Sequence, residues 1–234
     1  MSKGTRITRR RFWALAGATA AAGTAALACG GLAILGGVQP EIEFVEPSCV
    51  PSSVPQDKIL VAYASQYGST GEVAGAIGGA LCKTGMAADV RLVANVNNLS
   101  GYQAVIVGSP VQNDAWMDDA VGFVEANRDA LSEVPVAYFL TCMTLGLDPQ
   151  PGGRERMARV LAHVREQVPE VVPVDEGLFA GTIPVGYVSP ILAGAYQALG
   201  YQEDDFQGID FRDWDAIQAW AKGLGSKLAA ACSR

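Results

Sequence analysis

From residue 58 onward, short continuous apolar runs alternate with stretches in which apolar residues recur every third or fourth position. Lys58-Ile59-Leu60-Val61-Ala62-Tyr63 is the first run, the pattern of a strand buried on both faces of a parallel sheet. After a Gly/Ser/Thr-rich turn, Val73, Ile77 and Leu81 fall at helical spacing. Met86 to Val93 predicts a second strand and Ala104-Val105-Ile106-Val107-Gly108 a third. Met117, Val121, Val124 and Leu131 mark the next helix, and Val136 to Thr141 a fourth strand. Residues 153–168 predict a helix with Met157, Val160, Leu161, Val164 and Val168 on its apolar side. Val171 to Phe179 is a fifth strand. The last helix begins near Asp213 and carries Trp214, Ile217, Ala221, Leu224 and Leu228 on one face. Strand and helix alternate throughout, which predicts a doubly wound α/β domain over residues 57–234. Five parallel strands suit the order 2-1-3-4-5, with a ligand crevice at the carboxyl ends of strands one and three.

The first 56 residues follow a different pattern. Trp13 to Val38 is an Ala/Gly-rich apolar run without a charge. It is preceded by Thr8-Arg9-Arg10-Arg11-Phe12-Trp13, which resembles a twin-arginine export signal, in the layout of a targeting peptide. Residues 1–38 are thus expected to form an apolar helix, as signal or anchor. Three fates are open. The run is long enough to span a membrane. It also fits cleavage behind a lipid-bearing Cys29, since Ala26-Leu27-Ala28-Cys29-Gly30 resembles a lipobox. Cleavage by ordinary signal peptidase fits as well. Apolar residues continue past Cys29 through Leu32, Ile34 and Leu35, which favours a retained anchor. Residues 39–56 contain Pro40, Pro47, Pro51 and Pro55 with three serines, and read as an extended linker.

Charge sharpens this division. Five basic residues and no acid lie in residues 1–28; without them 12 Lys+Arg face 24 Asp+Glu, a balance of −12. An acidic body repels polyanions and argues against nucleic-acid binding. The cysteines, Cys29, Cys49, Cys82, Cys142 and Cys232, show no CxxC or Cys/His spacing, so no zinc site is expected. Of the five, Cys49 and Cys232 are expected to be exposed enough to pair; the sequence leaves open whether they do. The single histidine, His163, points away from the apolar side of its helix and is expected in solvent.

The most informative stretch joins the first strand to the first helix: Ser65, Gln66, Tyr67, Gly68, Ser69 and Thr70, followed by Gly71. A phosphate there meets free backbone N–H groups and the positive end of the helix dipole. Ser65, Ser69 and Thr70 offer hydroxyls, and Gly68 lets the backbone approach closely. No lysine follows in Gly-Lys-Ser/Thr form and no GxGxxG is present, which disfavours nucleoside triphosphates and dinucleotides.

This stretch resembles the flavodoxin phosphate loop, Ser/Thr-x-Thr-Gly-x-Thr, with Ser65, Gly68 and Thr70 on the matching positions. Tyr67 replaces the middle hydroxyl residue, as is common in the branch that includes menaquinone-dependent protoporphyrinogen oxidase. Gly108-Ser109-Pro110 resembles the start of the first isoalloxazine loop. Phe179-Ala180-Gly181 resembles the end of the fifth strand in that branch, and Asp213-Trp214-x-x-Ile217-x-x-Trp220-Ala221 the start of its last helix. The resemblance implies non-covalent FMN, its phosphate on Ser65 to Thr70. The ring would lie between a loop holding Ser109, Pro110, Val111, Gln112 and Trp116 and a loop from Thr141, Cys142 and Met143 to Leu147. Trp116 would either stack on the ring or staple the next helix. Cys142 would touch the flavin or serve as a small strand-end residue, the latter being the more common role. The second loop lacks the aromatic that many flavodoxins place against the flavin.

Three functions are expected to compete. The first is an FMN-binding electron carrier at the outer face of a membrane, held by residues 13–38 or a lipid on Cys29, with a redox protein or a quinone as partner. The second is a protoporphyrinogen oxidase-like enzyme passing electrons to a quinone. For it, the segment Pro149-Gln150-Pro151-Gly152-Gly153 lacks the basic residues a porphyrin carboxylate would want. The third is a cofactor-free interaction module of the same shape.

Overall fold

A computed structural model of the chain describes residues 42–51, 58–147, 151–183 and 209–232. The apolar N-terminal helix, the twin-arginine-like motif, Cys29 and residues 148–150 lie outside the described residues. The chain forms two compact units, one of Ile42–Gly181 with Phe211–Arg234, the other of Met1–Glu41 with Thr182–Asp210.

In chain order the larger unit contains β1 (Ser48–Cys49), β2 (Lys58–Tyr63), α1 (Ser69–Lys83), β3 (Ala87–Leu92), β4 (Tyr102–Gln112), β5 (Ala115–Trp116), α2 (Asp118–Ala126), α3 (Arg128–Ser132), β6 (Val136–Cys142), α4 (Met143–Leu147), α5 (Pro151–Gln167), β7 (Pro173–Ala180) and α6 (Trp214–Cys232). Of the smaller unit, the described residues form a short antiparallel pair, Thr182–Ile183 with Ile209–Asp210.

The sheet order is β1-β3-β2-β4-β6-β7. The five long strands are mutually parallel, and their order is the expected 2-1-3-4-5, so the flavodoxin-like α/β fold is observed. Two apolar cores cover the sheet. Leu60, Ala62, Val105, Val107, Tyr138 and Leu140 face one with the buried sides of α2 and α5. Ile59, Val61, Val90, Ile106 and Phe139 face the other with α1 and α6. Alternate residues of each strand thus enter opposite cores, which is why these strands read as unbroken apolar runs. Each large aliphatic buried this way contributes about 1.5–3 kcal/mol. On α5, His163 is exposed as expected and lies 3.5 Å from Glu166.

Three departures from the sequence reading stand out. The helix expected from Met117 to Leu131 breaks into two at Asn127, whose side-chain amide donates to the Phe123 carbonyl and competes with helical continuation. Residues 42–51, read as part of a linker, lie along the domain as a strap. There β1 adds an antiparallel strand to the β3 edge. Glu46 accepts hydrogen bonds from the Leu92 N–H (2.8 Å) and the Asn95 amide (3.0 Å), and Arg91 donates to the Glu46 carbonyl and to Ser48. Third, Cys49 forms a disulfide with Cys82 of α1, their Cα atoms 6.2 Å apart. The pairing of Cys49 with Cys232, which the sequence left open, is thereby ruled out; Cys232 directs its thiol to the Gln103 carbonyl. Cys82, on the outer face of α1, comes within reach of Cys49 only because the strap docks there, a tertiary contact that spacing does not encode.

Beside the strap, Asp89 is buried near Lys58 and Arg91 and accepts from the Tyr102 hydroxyl at 3.0 Å. Burial pushes its carboxyl up, but hydrogen bonds from Ser48 and Tyr102 and the charges of Lys58 and Arg91 outweigh that and hold it below the usual carboxylate range.

Candidate functional site

The carboxyl ends of β2, β4 and β6 bring three connections together. The first runs from Ala64 to Thr70. Gly68 has φ +82°, the left-handed region where a side chain is strained, and from there the chain turns into α1. No side chain caps α1 among the described residues, so its first N–H groups stay available to an anion. Ser65 and Ser69 are half-buried, Gln66 and Tyr67 exposed, and Gly68 and Thr70 buried. A small ring of N–H groups and hydroxyls at a helix start fits a phosphate chemically.

The loop is supported from behind. Tyr63, the last residue of β2, is fully buried, and its ring lies so close under α1 that a Cβ on Gly71 would come within 2.8 Å of it. Its hydroxyl donates to the Val45 carbonyl of the strap at 3.0 Å. Burial first, and then the charge of Glu46, push the Tyr63 hydroxyl up to about 12, against the opposing effect of that hydrogen bond. Strap residues Ile42 and Glu43 pack against Gly68 itself: a Cβ there would lie 3.4 Å from the Ile42 side chain and 3.5 Å from the Glu43 carbonyl.

The second connection, expected as a loop over Ser109–Trp116, is a hairpin. β4 continues to Gln112, and Asn113 and Asp114, both at positive φ, turn it into β5. Two central residues at positive φ are the requirement of a tight type I′ hairpin, and Asn and Asp tolerate it. Asp114 pairs with Arg156 of α5. Gln112 donates to Gln66, joining this hairpin to the connection before α1. Ser109 is fully buried; its hydroxyl donates to the Pro110 carbonyl (2.9 Å) and accepts the Met117 N–H (3.0 Å). Trp116 lies in the core, its ring edge-on to Tyr138 at 5.2 Å between centroids, a placement that favours the packing role over stacking on a flavin. Pro110 and Val111 are half-buried.

The third connection folds into α4. Thr141 is buried, and its hydroxyl shares a 2.9 Å hydrogen bond with that of Thr70, tying the end of β6 to the start of α1. Cys142 is buried, with its sulfur accepting the Thr144 N–H, the behaviour of a packed strand-end residue. Met143 to Gly146 are half-buried. Phe211 covers Gly146, where a Cβ would come within 2.3 Å of the phenyl ring. This puts an aromatic beside a loop that has none of its own.

All fourteen expected site residues therefore lie on three connections that meet at one end of the sheet. Two elements escaped the sequence reading. One is the strap. The other is Arg212, ahead of α6, whose guanidinium donates to the Glu72 carboxylate at 2.9 Å and to the Ser69 carbonyl at 3.4 Å, and stacks over Trp214 with 4.4 Å to the ring centroid. Its signal was there to be read: it is the lone Lys or Arg between Arg165 and Lys222.

The flavodoxin domain model matches residues 60–186, over half of the chain. No curated protein sequence matches it. Among solved structures, a flavodoxin variant from Pseudomonas aeruginosa has TM-score 0.46 and 14% identity, covering 74% of this chain and 99% of that one. Rubredoxin oxygen:oxidoreductase from Desulfovibrio gigas has TM-score 0.46 and 15% identity, covering 76% and 38%. The flavodiiron protein of Giardia intestinalis has TM-score 0.44 and 16% identity, covering 75% and 37%. This chain thus spans under two-fifths of the length of the last two proteins.

Proposed function

The chain belongs to the flavodoxin domain family, and on that premise we propose that it binds FMN non-covalently and passes electrons at the outer face of a membrane. The observation that carries the cofactor is the uncapped start of α1 behind left-handed Gly68, with Ser65 and Ser69 beside it. Those N–H groups and hydroxyls hold the phosphate. The hairpin from Ser109 to Trp116 and the short helix after Cys142 wall the ring and limit water. When bound, FMN supplies one- and two-electron transfer.

The disulfide between Cys49 and Cys82 supports an oxidising compartment, in keeping with the export-like Arg9-Arg10 motif. Among the described residues no helix is long and apolar enough to cross a membrane. The anchor in this reading is residues 13–38, or a lipid on Cys29. The second reading, a protoporphyrinogen oxidase-like enzyme delivering electrons to a quinone, rests on Tyr67 at the middle of the phosphate loop. The same disulfide weighs against it, because that chemistry is expected at the cytoplasmic face.

Two measurements test the proposal. The full chain, purified in mild detergent, should be yellow and bind FMN more tightly than riboflavin. A colourless protein indifferent to micromolar FMN leaves the cofactor-free module instead. In the native host, external protease should digest a membrane-bound domain, and Arg9→Lys with Arg10→Lys should abolish that exposure. Protection in intact cells would return the domain to the cytoplasm.

A further inference from the structure

The first turn of α1 holds a contradiction. It is the proposed seat of a phosphate, yet it carries an acidic residue, Glu72, one turn or less from every N–H that would bind the anion. A carboxylate there favours the helix through its dipole but repels a second anion at the same end. Arg212 resolves the conflict. Its guanidinium is largely buried, at 8% side-chain exposure, and bonds the Glu72 carboxylate at 2.9 Å. The same nitrogen reaches the Ser69 carbonyl at 3.4 Å, and the group is stacked on Trp214. The preceding residue, Phe211, is fixed by its N–H to the Gly181 carbonyl at 3.2 Å and by its packing on Gly146. The cation is therefore held in place by α6 and its lead-in rather than left to wander in solvent.

We propose that Arg212 is a positioning residue of the phosphate site, neutralising Glu72 and holding the Ser69 turn so that the start of α1 accepts a dianionic phosphate. This rests on the FMN reading above and assigns it a residue outside the phosphate loop, more than 140 positions away in sequence.

The test compares FMN with riboflavin, which has the ring but no phosphate, by fluorescence quenching on the full chain. Arg212→Gln should weaken FMN about tenfold, with riboflavin changed less than about twofold, because the cost is charge repulsion at the phosphate alone. The loss should shrink as salt is raised. Adding Glu72→Gln to Arg212→Gln should restore most of the affinity, and Arg212→Lys should fall between. Glu72→Gln alone removes the like charge from the helix start and should tighten FMN; this arm decides the matter if Arg212→Gln does not fold. Equal losses for FMN and riboflavin, no loss for either, or no rescue by Glu72→Gln would overturn the inference. A wild-type chain that binds FMN no better than riboflavin would instead refute the phosphate site itself, before any variant is made.

Discussion

The half of the site proposed for the phosphate and the half proposed for the ring are built in opposite senses. Between β2 and α1, Ser65, Gln66 and Ser69 stay at or near the surface and only Thr70 turns inward, and the support comes from behind: the Tyr63 ring under Gly71, the strap against Gly68, Arg212 on the Ser69 turn. At the ends of β4 and β6, the polar groups turn inward. Ser109 and Thr141 are buried and bond within the chain, Trp116 belongs to the core, and Cys142 packs. What the ring half leaves outside is a hairpin tip and one short turn of helix. A site that recognises an anion through backbone needs a rigid frame. A site that receives a planar apolar ring needs a shaped wall and little else.

The largest expected break in this comparison comes at the strap. Cys49→Ala with Cys82→Ala opens a loop spanning 33 positions, and the entropy model places the loss at about 3–4 kcal/mol in denaturant unfolding. FMN should weaken more than riboflavin, because the strap supports only the phosphate half. Identical losses for both would mean that the strap holds the fold and not the loop. Gly71→Ala comes next. A methyl 2.8 Å from the Tyr63 ring forces that ring away from α1 and from the Val45 carbonyl, at about 1–3 kcal/mol of stability. Again FMN should suffer more; riboflavin falling as far as FMN would place the ring against this turn too. The smallest effect is expected in the ring half. The Trp116 indole N–H is buried with no hydrogen-bond partner among the described residues. Trp116→Phe removes an unsatisfied donor along with some packing, for a net change within about 1 kcal/mol, and riboflavin affinity should stay within about threefold. A tenfold loss of riboflavin would show that this side chain touches the flavin after all.

The same contrast explains what the sequence disclosed. Five long strands and their order were legible because each strand is buried on both sides and each helix on one, which writes period into the chain. The tight turn into α1 was legible because its backbone geometry demands a particular residue, Gly68, at a left-handed dihedral. The ring half was less so. Asn113-Asp114 is a hairpin signal hidden inside an expected loop, and nothing local says that Trp116 faces inward. The strap and Arg212 were missed because their roles come from contacts between distant segments. Pro47 and Pro51 suggested a linker, whereas they bracket a two-residue strand; Arg212 belongs to no local motif, and only its contacts with Glu72 and Ser69 give it a place.

That proline-bracketed strand also bears on what the margin of the sheet presents to a foreign strand. An open sheet has two margins at which a foreign strand can continue the ladder. At one margin, β1 occupies the outer side of β3 for two residues only, between Pro47 and Pro51, which have no N–H to offer. At the other, β7 opens with Pro173, and Asp175 and Glu176 follow in ion pairs with Lys227 and Arg165. A strand adding there would have to displace fixed charges, even though Val172 and Val174 are exposed beside them. Both margins of the described sheet therefore offer an added strand a short or charge-guarded ladder.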